Sequence, residues 1–335
     1  MPQLTEVTGT VEDVLASSDD DFRAFTEKAV ASTWDRFKNR RILFNPLYVS
    51  NVCINDCAYC GYRRSNRNAL RRTLTPKEAV GEARVLAKRG IRHVLILAGE
   101  YSKGPYFDML RRCIGAIRDE KVMDWIGVEV APLNERQYAQ LRVDGVNSVT
   151  VFQETYDRWI YTRLHEGVGP KGDFDYRAGA LNRAISAGIM EVGLGVLYGL
   201  GDWFADTCAM AEHARHLQSI NSELKVRFSF PRLMPSQSQD TDLSRQFVDE
   251  SMLSKSIIAM RLAFPGASLV LTGRESKSFL LRHAPIADVL GKAGSTAVGG
   301  YTQWDASPLE QFSLNEDCAL EDFRKLLTIR GFDVH

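Results

Sequence analysis

The sequence predicts an α/β fold, a closed (β/α)8 barrel of the TIM type, on three observations. From residue 41 onward, apolar β-branched runs alternate with longer stretches of helical periodicity. Eight such runs fall near residues 42–50, 93–98, 126–130, 148–153, 191–198, 226–230, 268–272 and 295–299. Residues 41–300 also supply the ~250 residues that such a barrel requires, and no low-complexity linker divides them.

Ahead of the barrel, residues 1–40 read as an N-terminal helical segment, because Phe22, Phe25, Ala29, Trp34 and Phe37 recur at helical spacing. The first strand runs straight into a cysteine-rich loop. The clearest helix comes next, at "TPKEAVGEARVLAKRG": Thr75 is its N-cap, Pro76 its first residue, Glu78 completes a capping box and Gly90 ends it. It joins two strands as a right-handed βαβ crossover, and later segments repeat the unit. Residues 301–335 remain as a C-terminal loop and one closing helix.

Composition narrows the function. The chain has 335 residues, 44% of them hydrophobic and 25% charged, which is ordinary for a globular protein. Lys plus Arg and Asp plus Glu balance at 42 each, so nothing points to nucleic acid, and a small molecule is the expected partner. No apolar run approaches the roughly 20 residues of a membrane span. The start, "MPQLTEVTGTVEDVLASSDDD", is acidic and lacks the order of a signal peptide. A cytoplasmic protein without membrane contact is expected.

In a reducing compartment, clustered thiols bind metals or react. Cys53, Cys57 and Cys60 stand just past the first strand, at the barrel face where sites are built. Three thiolates fill three corners of a metal site, whereas structural zinc takes four protein ligands. A 4Fe-4S cluster with one iron free to bind a small molecule fits this count. Zinc completed by a distant His, or a group of buried thiols, are the other readings of these residues. Cys113, Cys208 and Cys318 stand alone and read as small buried or half-buried residues.

The spacing Cys-x3-Cys-x2-Cys, with aromatic Tyr59 before the last cysteine, resembles the signature of the radical S-adenosylmethionine (SAM) enzymes. The resemblance runs from about residue 41 to 332 through "NPLY", "CAYCGY", "LAGEY", "VFQETYDRWIY", "GLGVLYGL", "SFPRLMP", "LTGRES" and "GGYTQWDASPLEQF". Together these look like the aromatic amino acid lyases of that family, and most like the tyrosine lyase of thiazole biosynthesis. The related hydrogenase maturase carries a further cysteine motif near its C-terminus, where this chain offers only Cys318.

The resemblance implies a radical SAM barrel in which SAM and a 4Fe-4S cluster together yield a 5′-deoxyadenosyl radical. The expected reaction cleaves the Cα–Cβ bond of L-tyrosine to 2-iminoacetate (dehydroglycine) and p-cresol, for thiazole and thiamine synthesis. A reductase such as flavodoxin or ferredoxin would supply the electron, and a thiazole synthase is a further expected partner. A tryptophan lyase is the nearest alternative, and a non-catalytic iron-sulfur or zinc-binding barrel is one from another class.

Residue roles follow in the same terms. Glu100 closes the strand "HVLILAGE" after Gly99, where the backbone can come close to a ligand; by resemblance this segment contacts the amino group of SAM. Glu154 ends another strand, and a carboxylate there can accept both ribose hydroxyls. Arg177 matches the arginine that binds the SAM carboxylate, and Tyr62, Gly195 and Gly199 match positions against the adenine. For the substrate, Arg274 is the carboxylate anchor, with Thr272 beside it. Tyr48 matches a contact to the substrate amine, and Arg232 offers a second positive group. Glu129 and Gln153 are further lining candidates, while His165 reads as exposed on a charged helix and takes no catalytic role. Singly, each of these has an ordinary structural reading, such as surface ion pair, core tyrosine or strand bulge.

Overall fold

The computed structural model describes residues 10–101, 104–167, 169–236, 246–302 and 309–335. Part of "GGYTQWDASPLEQF", residues 303–308, and the first nine residues lie outside them. Eight strands build the barrel: β1 (Arg40–Ser50), β2 (His93–Ala98), β3 (Trp125–Glu129), β4 (Ser148–Glu154), β5 (Glu191–Val196), β6 (Lys225–Ser229), β7 (Ser268–Leu271) and β8 (Val289–Gly291). Each pairs in parallel with the next, and β8 returns to β1 through Ile42–Val289, Leu43–Leu290 and Phe44–Gly291. The sheet therefore closes and leaves no open edge.

Seven strands fall within about two residues of where the sequence puts them, and the eighth does not. Residues 295–299 are β-branched enough to read as a strand, yet they make only isolated bridges, Tyr48 to Val298 and Ala297 to Glu310. The closing strand is the three-residue, fully buried Val-Leu-Gly of β8. A strand buried on both faces loses the alternation that marks longer ones.

The helix Pro76–Lys88 between β1 and β2 is capped as expected. Thr75 Oγ1 accepts from Glu78 N at 3.3 Å, and Glu78 Oε2 accepts from Thr75 N at 2.7 Å. Gly90 adopts φ +75° beyond its end, a conformation that favours glycine. Before the barrel, helices Val11–Leu15 and Asp19–Phe37 pack on the helix Glu250–Ala263, burying Val14, Leu15, Phe25 and Ala29. At the chain's end, the helix Leu320–Ile329 precedes a short strand, Asp333–Val334, that pairs with the start of β1. No helix among the described residues is long and apolar enough to cross a membrane.

Candidate active site

Side chains alternate across a strand, so each barrel strand sends every second residue inward. At the carboxyl ends of the strands these residues enclose a cavity of about 1590 Å³, its open mouth included. Its floor is a small polar cluster: Trp125 Nε1 and Arg227 Nη1 both donate to Glu191 Oε1 at 3.1 Å, and the Arg227 guanidinium lies 4.3 Å over the Trp125 ring.

The cysteine loop roofs one side. Cys53, Cys57 and Cys60 all line the cavity, and none of them is in a disulfide. The loop is held by a short antiparallel ladder between Asn55–Cys57 and His165–Gly167, and by close approach to β2. A Cβ on Gly99 would stand 2.3 Å from the Val52 carbonyl. The close neighbour that requires glycine there is thus the cysteine loop's own backbone. Among the described residues, no three His, Cys, Asp or Glu side chains draw together as a single-ion site. Three thiols around one cavity, with no fourth protein ligand beside them among the described residues, suit an iron-sulfur cluster completed by a small molecule.

Beneath the loop sits a buried quartet of charges. Lys171 Nζ lies 2.6 Å from Glu154 Oε1 and 3.7 Å from Glu100 Oε1. Arg177 Nη1 donates to Glu100 Oε1 at 2.8 Å, its Nη2 lies 3.6 Å from Glu154, and its Nε donates to the Phe152 carbonyl at 2.8 Å. Arg177 is 3% exposed, so it is no surface ion pair. Burial alone would raise the Glu154 carboxyl, but Lys171 and Arg177 outweigh it and hold the group down at about 2. Glu154 also takes φ +71°, past a register shift in the β4–β5 pairing. For a non-glycine residue that strain is of order 1–3 kcal/mol, and such strain gathers at functional sites.

Asn55 Nδ2 donates to Glu100 Oε2 at 3.1 Å, while its buried Oδ1 has no partner among the described residues. His165 is 3% exposed, which corrects the sequence reading of a solvent-facing histidine. Its Nδ1 meets the Tyr161 carbonyl at 2.7 Å, and its Nε2 meets the Tyr59 hydroxyl at 2.7 Å. Burial lowers the ring to about 3 and so keeps it neutral; because a carbonyl can only accept, Nδ1 carries the proton and Nε2 accepts from the Tyr59 hydroxyl.

Opposite the quartet stands a second polar group. Arg274 lines the cavity with its guanidinium 3.5 Å over the Phe312 ring, one Nη donating to the Arg232 carbonyl at 3.0 Å. Thr272 lines it too, in the turn after β7, and its Oγ1 accepts from Arg274 N at 3.4 Å. Tyr48 packs edge-on against Tyr62, with ring centres 5.8 Å apart, and donates to Gln311 Oε1 at 2.7 Å. Tyr62 in turn donates to the Thr296 carbonyl.

Several residues singled out in the sequence do not reach the cavity wall. The Arg232 side chain pairs with Glu275, which is 1% exposed, and donates to the Val248 carbonyl at 3.2 Å; only its backbone supports Arg274. Gln153 is buried off the cavity wall, and neither amide atom has a hydrogen-bond partner among the described residues. Gly199, at φ +114°, serves a turn beside Leu233. Gly195 acts at one remove, since a Cβ there would stand 2.6 Å from the cavity-lining Phe152 ring. Conversely, Lys171 and Gln311 line the site without having been singled out. No local pattern marks Lys171 in "GPKGDF", whereas Gln311 lies inside the "LEQF" of a quoted motif.

Known proteins resemble this arrangement throughout the chain. Residues 47–212 match the radical SAM superfamily, and residues 229–331 match the biotin and thiamin synthesis associated domain. The chain is 37% identical to the 2-iminoacetate synthase of Escherichia coli (strain K12) over 308 residues, 91% of this chain and 80% of that protein. The enzyme of the same name from Salmonella typhimurium is 36% identical over 307 residues, with the same shares. The crystal structure of HydG, a maturase of the FeFe-hydrogenase, superposes with a TM-score of 0.90 at 32% identity, over 97% of this chain and 72% of that one.

Proposed function

The chain belongs to the radical SAM superfamily, and from that premise we propose that it cleaves the Cα–Cβ bond of L-tyrosine to 2-iminoacetate and p-cresol, serving thiazole and thiamine synthesis. The observation that carries this reading is the 37% identity to a 2-iminoacetate synthase across 91% of the chain, joined to a cavity that offers a cation to a carboxylate beside an aromatic-lined hollow.

Cys53, Cys57 and Cys60 would hold a 4Fe-4S cluster, and Glu100, Glu154, Arg177, Tyr59 and Tyr62 line the space beside it that suits SAM. When bound, the two supply one electron and a 5′-deoxyadenosyl group that removes a hydrogen atom from the substrate. The chain's residues do the rest. Arg177, fixed by the Phe152 carbonyl, would bind the methionyl carboxylate of SAM. Glu154 would accept from the ribose hydroxyls, and its depressed pKa keeps it ionised near neutral pH. Asn55 Oδ1, buried without a partner among the described residues, can receive an N–H from the amino group of SAM.

On the substrate side, Arg274 binds the amino acid carboxylate, with Thr272 beside it and its guanidinium braced on Phe312. Leu95, Phe44, Val270 and Leu97 line an apolar hollow that takes the ring and excludes water. A one-electron donor such as flavodoxin or ferredoxin and a thiazole synthase that consumes the product complete the proposal.

Anaerobic reconstitution with iron and sulfide, then incubation with reductant, SAM and each aromatic amino acid, tests it. Deoxyadenosine with p-cresol from tyrosine is expected. Deoxyadenosine formed only with tryptophan would replace tyrosine as the substrate, and bound zinc in place of iron would end the radical reading.

A further inference from the structure

Glu129 ends β3 in the cavity wall, and no described residue hydrogen-bonds its carboxyl. Strand register sets its neighbours. Tyr48 pairs with Leu97, and Leu97 with Glu129, so the three occupy one layer across β1, β2 and β3. Arg274 faces them across the same cavity, near enough that Glu129 and Tyr48 both act on its charge. A free amino acid is a zwitterion, and this layer offers one cation and one carboxyl to it. Arg274 suits the carboxylate; the acceptor left for the ammonium is Glu129.

Resting on the tyrosine reading above, we propose that Glu129 binds the substrate α-ammonium and takes one proton from it before the hydrogen atom is removed. The step balances as an ammonium and a carboxylate giving a neutral amine and a carboxylic acid, with no oxidant or reductant. Its chemical purpose is plain. Hydrogen-atom loss from a neutral amine leaves a nitrogen radical that keeps its lone pair, whereas loss from an ammonium leaves a radical cation with none to spare.

The electrostatics agree. Burial, then the Glu154 carboxylate on β4, pushes the Glu129 carboxyl up to about 7, against the pull of Arg177, Lys171 and Arg274, while Tyr48 faces it from β1. A base in that range exchanges protons readily with an amine near neutral pH.

Calorimetric titration of L-tyrosine into the reconstituted protein with SAM and no reductant, in two buffers of different ionisation heat, counts the protons released. With Glu129 mostly protonated at pH 6 and mostly ionised at pH 8, the native protein should release close to one proton per tyrosine at pH 6 and almost none at pH 8. 3-(4-Hydroxyphenyl)propanoate, which lacks the amine, should release none at either pH. Glu129→Gln should lose the release and bind tyrosine at least tenfold more weakly while holding the propanoate as before; Glu129→Asp should retain the release. In turnover, deoxyadenosine formation by Glu129→Gln should climb about tenfold per pH unit as free amine forms, where the native enzyme is flat above pH 8. Equal proton release from the Gln variant, or equal loss of tyrosine and propanoate binding, overturns the assignment. Glu129-dependent proton release with tryptophan alone would retire tyrosine as substrate and leave Glu129 in this role.

Discussion

The Tyr48 hydroxyl donates to Gln311 Oε1 at 2.7 Å, and the same amide turns its Nε2 toward Cys60 Sγ at 3.5 Å. One side chain thus joins a residue of the substrate layer to a proposed cluster ligand. Hydrogen bonds to cluster sulfurs stabilise the reduced, more negative state and raise the potential. Gln311→Leu should therefore shift the cluster's reduction potential to a more negative value with iron content unchanged, read by a redox titration followed by electron paramagnetic resonance. An unmoved potential would reduce Gln311 to a packing residue.

The buried quartet makes stability depend on acid. Glu154 is held near 2 in the folded chain, below its ordinary value, so its contribution is fully present above about pH 4.5 and is lost as pH falls toward 2. Over that interval the loss amounts to about 3 kcal/mol. Lys171→Met removes the nearest cation and should flatten this part of the profile while costing about 3 kcal/mol at pH 7. Denaturant unfolding of the metal-free protein at pH 7 and pH 3 measures both.

His165 titrates in a different window. Burial first, then Lys171, lowers it from 6.5 to about 3, so the folded chain keeps the ring neutral. Stability tied to it is complete above pH 6.5 and declines as pH falls toward 3, by up to about 1.4 kcal/mol per unit. His165→Gln should reduce the slope between pH 6.5 and 4.5, where Glu154 contributes none, and leave the part that belongs to His93 and His213, both lowered by burial to about 4. An unchanged slope there would place the titration elsewhere.

What the sequence could reveal depended on whether the cause was local. The capping box at Thr75 and Glu78, the terminator Gly90 and the cysteine spacing are set by residues a few positions apart, and all were readable. His165 looks exposed beside Arg163 and Glu166, because one of the two rings that bury it, Tyr59, comes from the distant cysteine loop, while Tyr161 lies one turn earlier on its own helix. Lys171 gives no signal at all, since its partners are distant in sequence, Glu100 just past β2 and Glu154 at the end of β4. The last strand was misplaced because β-propensity favoured "STAVG" over the three buried residues that close the sheet.

Arg274→Ala removes the proposed carboxylate anchor and no cysteine. It should abolish tyrosine-dependent formation of deoxyadenosine, at least a hundredfold, while the visible spectrum of the reconstituted cluster stays the same. A lost spectrum would assign the residue to structure.

Arg232 tests the difference between a cavity cation and a supporting one. Its guanidinium is spent on Glu275, which is 1% exposed, and on the Val248 carbonyl, while only its main-chain oxygen holds Arg274. Removing one partner of a buried pair leaves an uncompensated charge, so Arg232→Met should cost about 3–5 kcal/mol in denaturant unfolding. Adding Glu275→Gln should return most of that loss, because the orphaned charge goes with it. Since the backbone contact to Arg274 survives the side-chain change, KM for tyrosine should stay within about twofold at a temperature where the variant is folded. A tenfold rise in KM with unchanged stability would instead make Arg232 a second anchor for the substrate carboxylate.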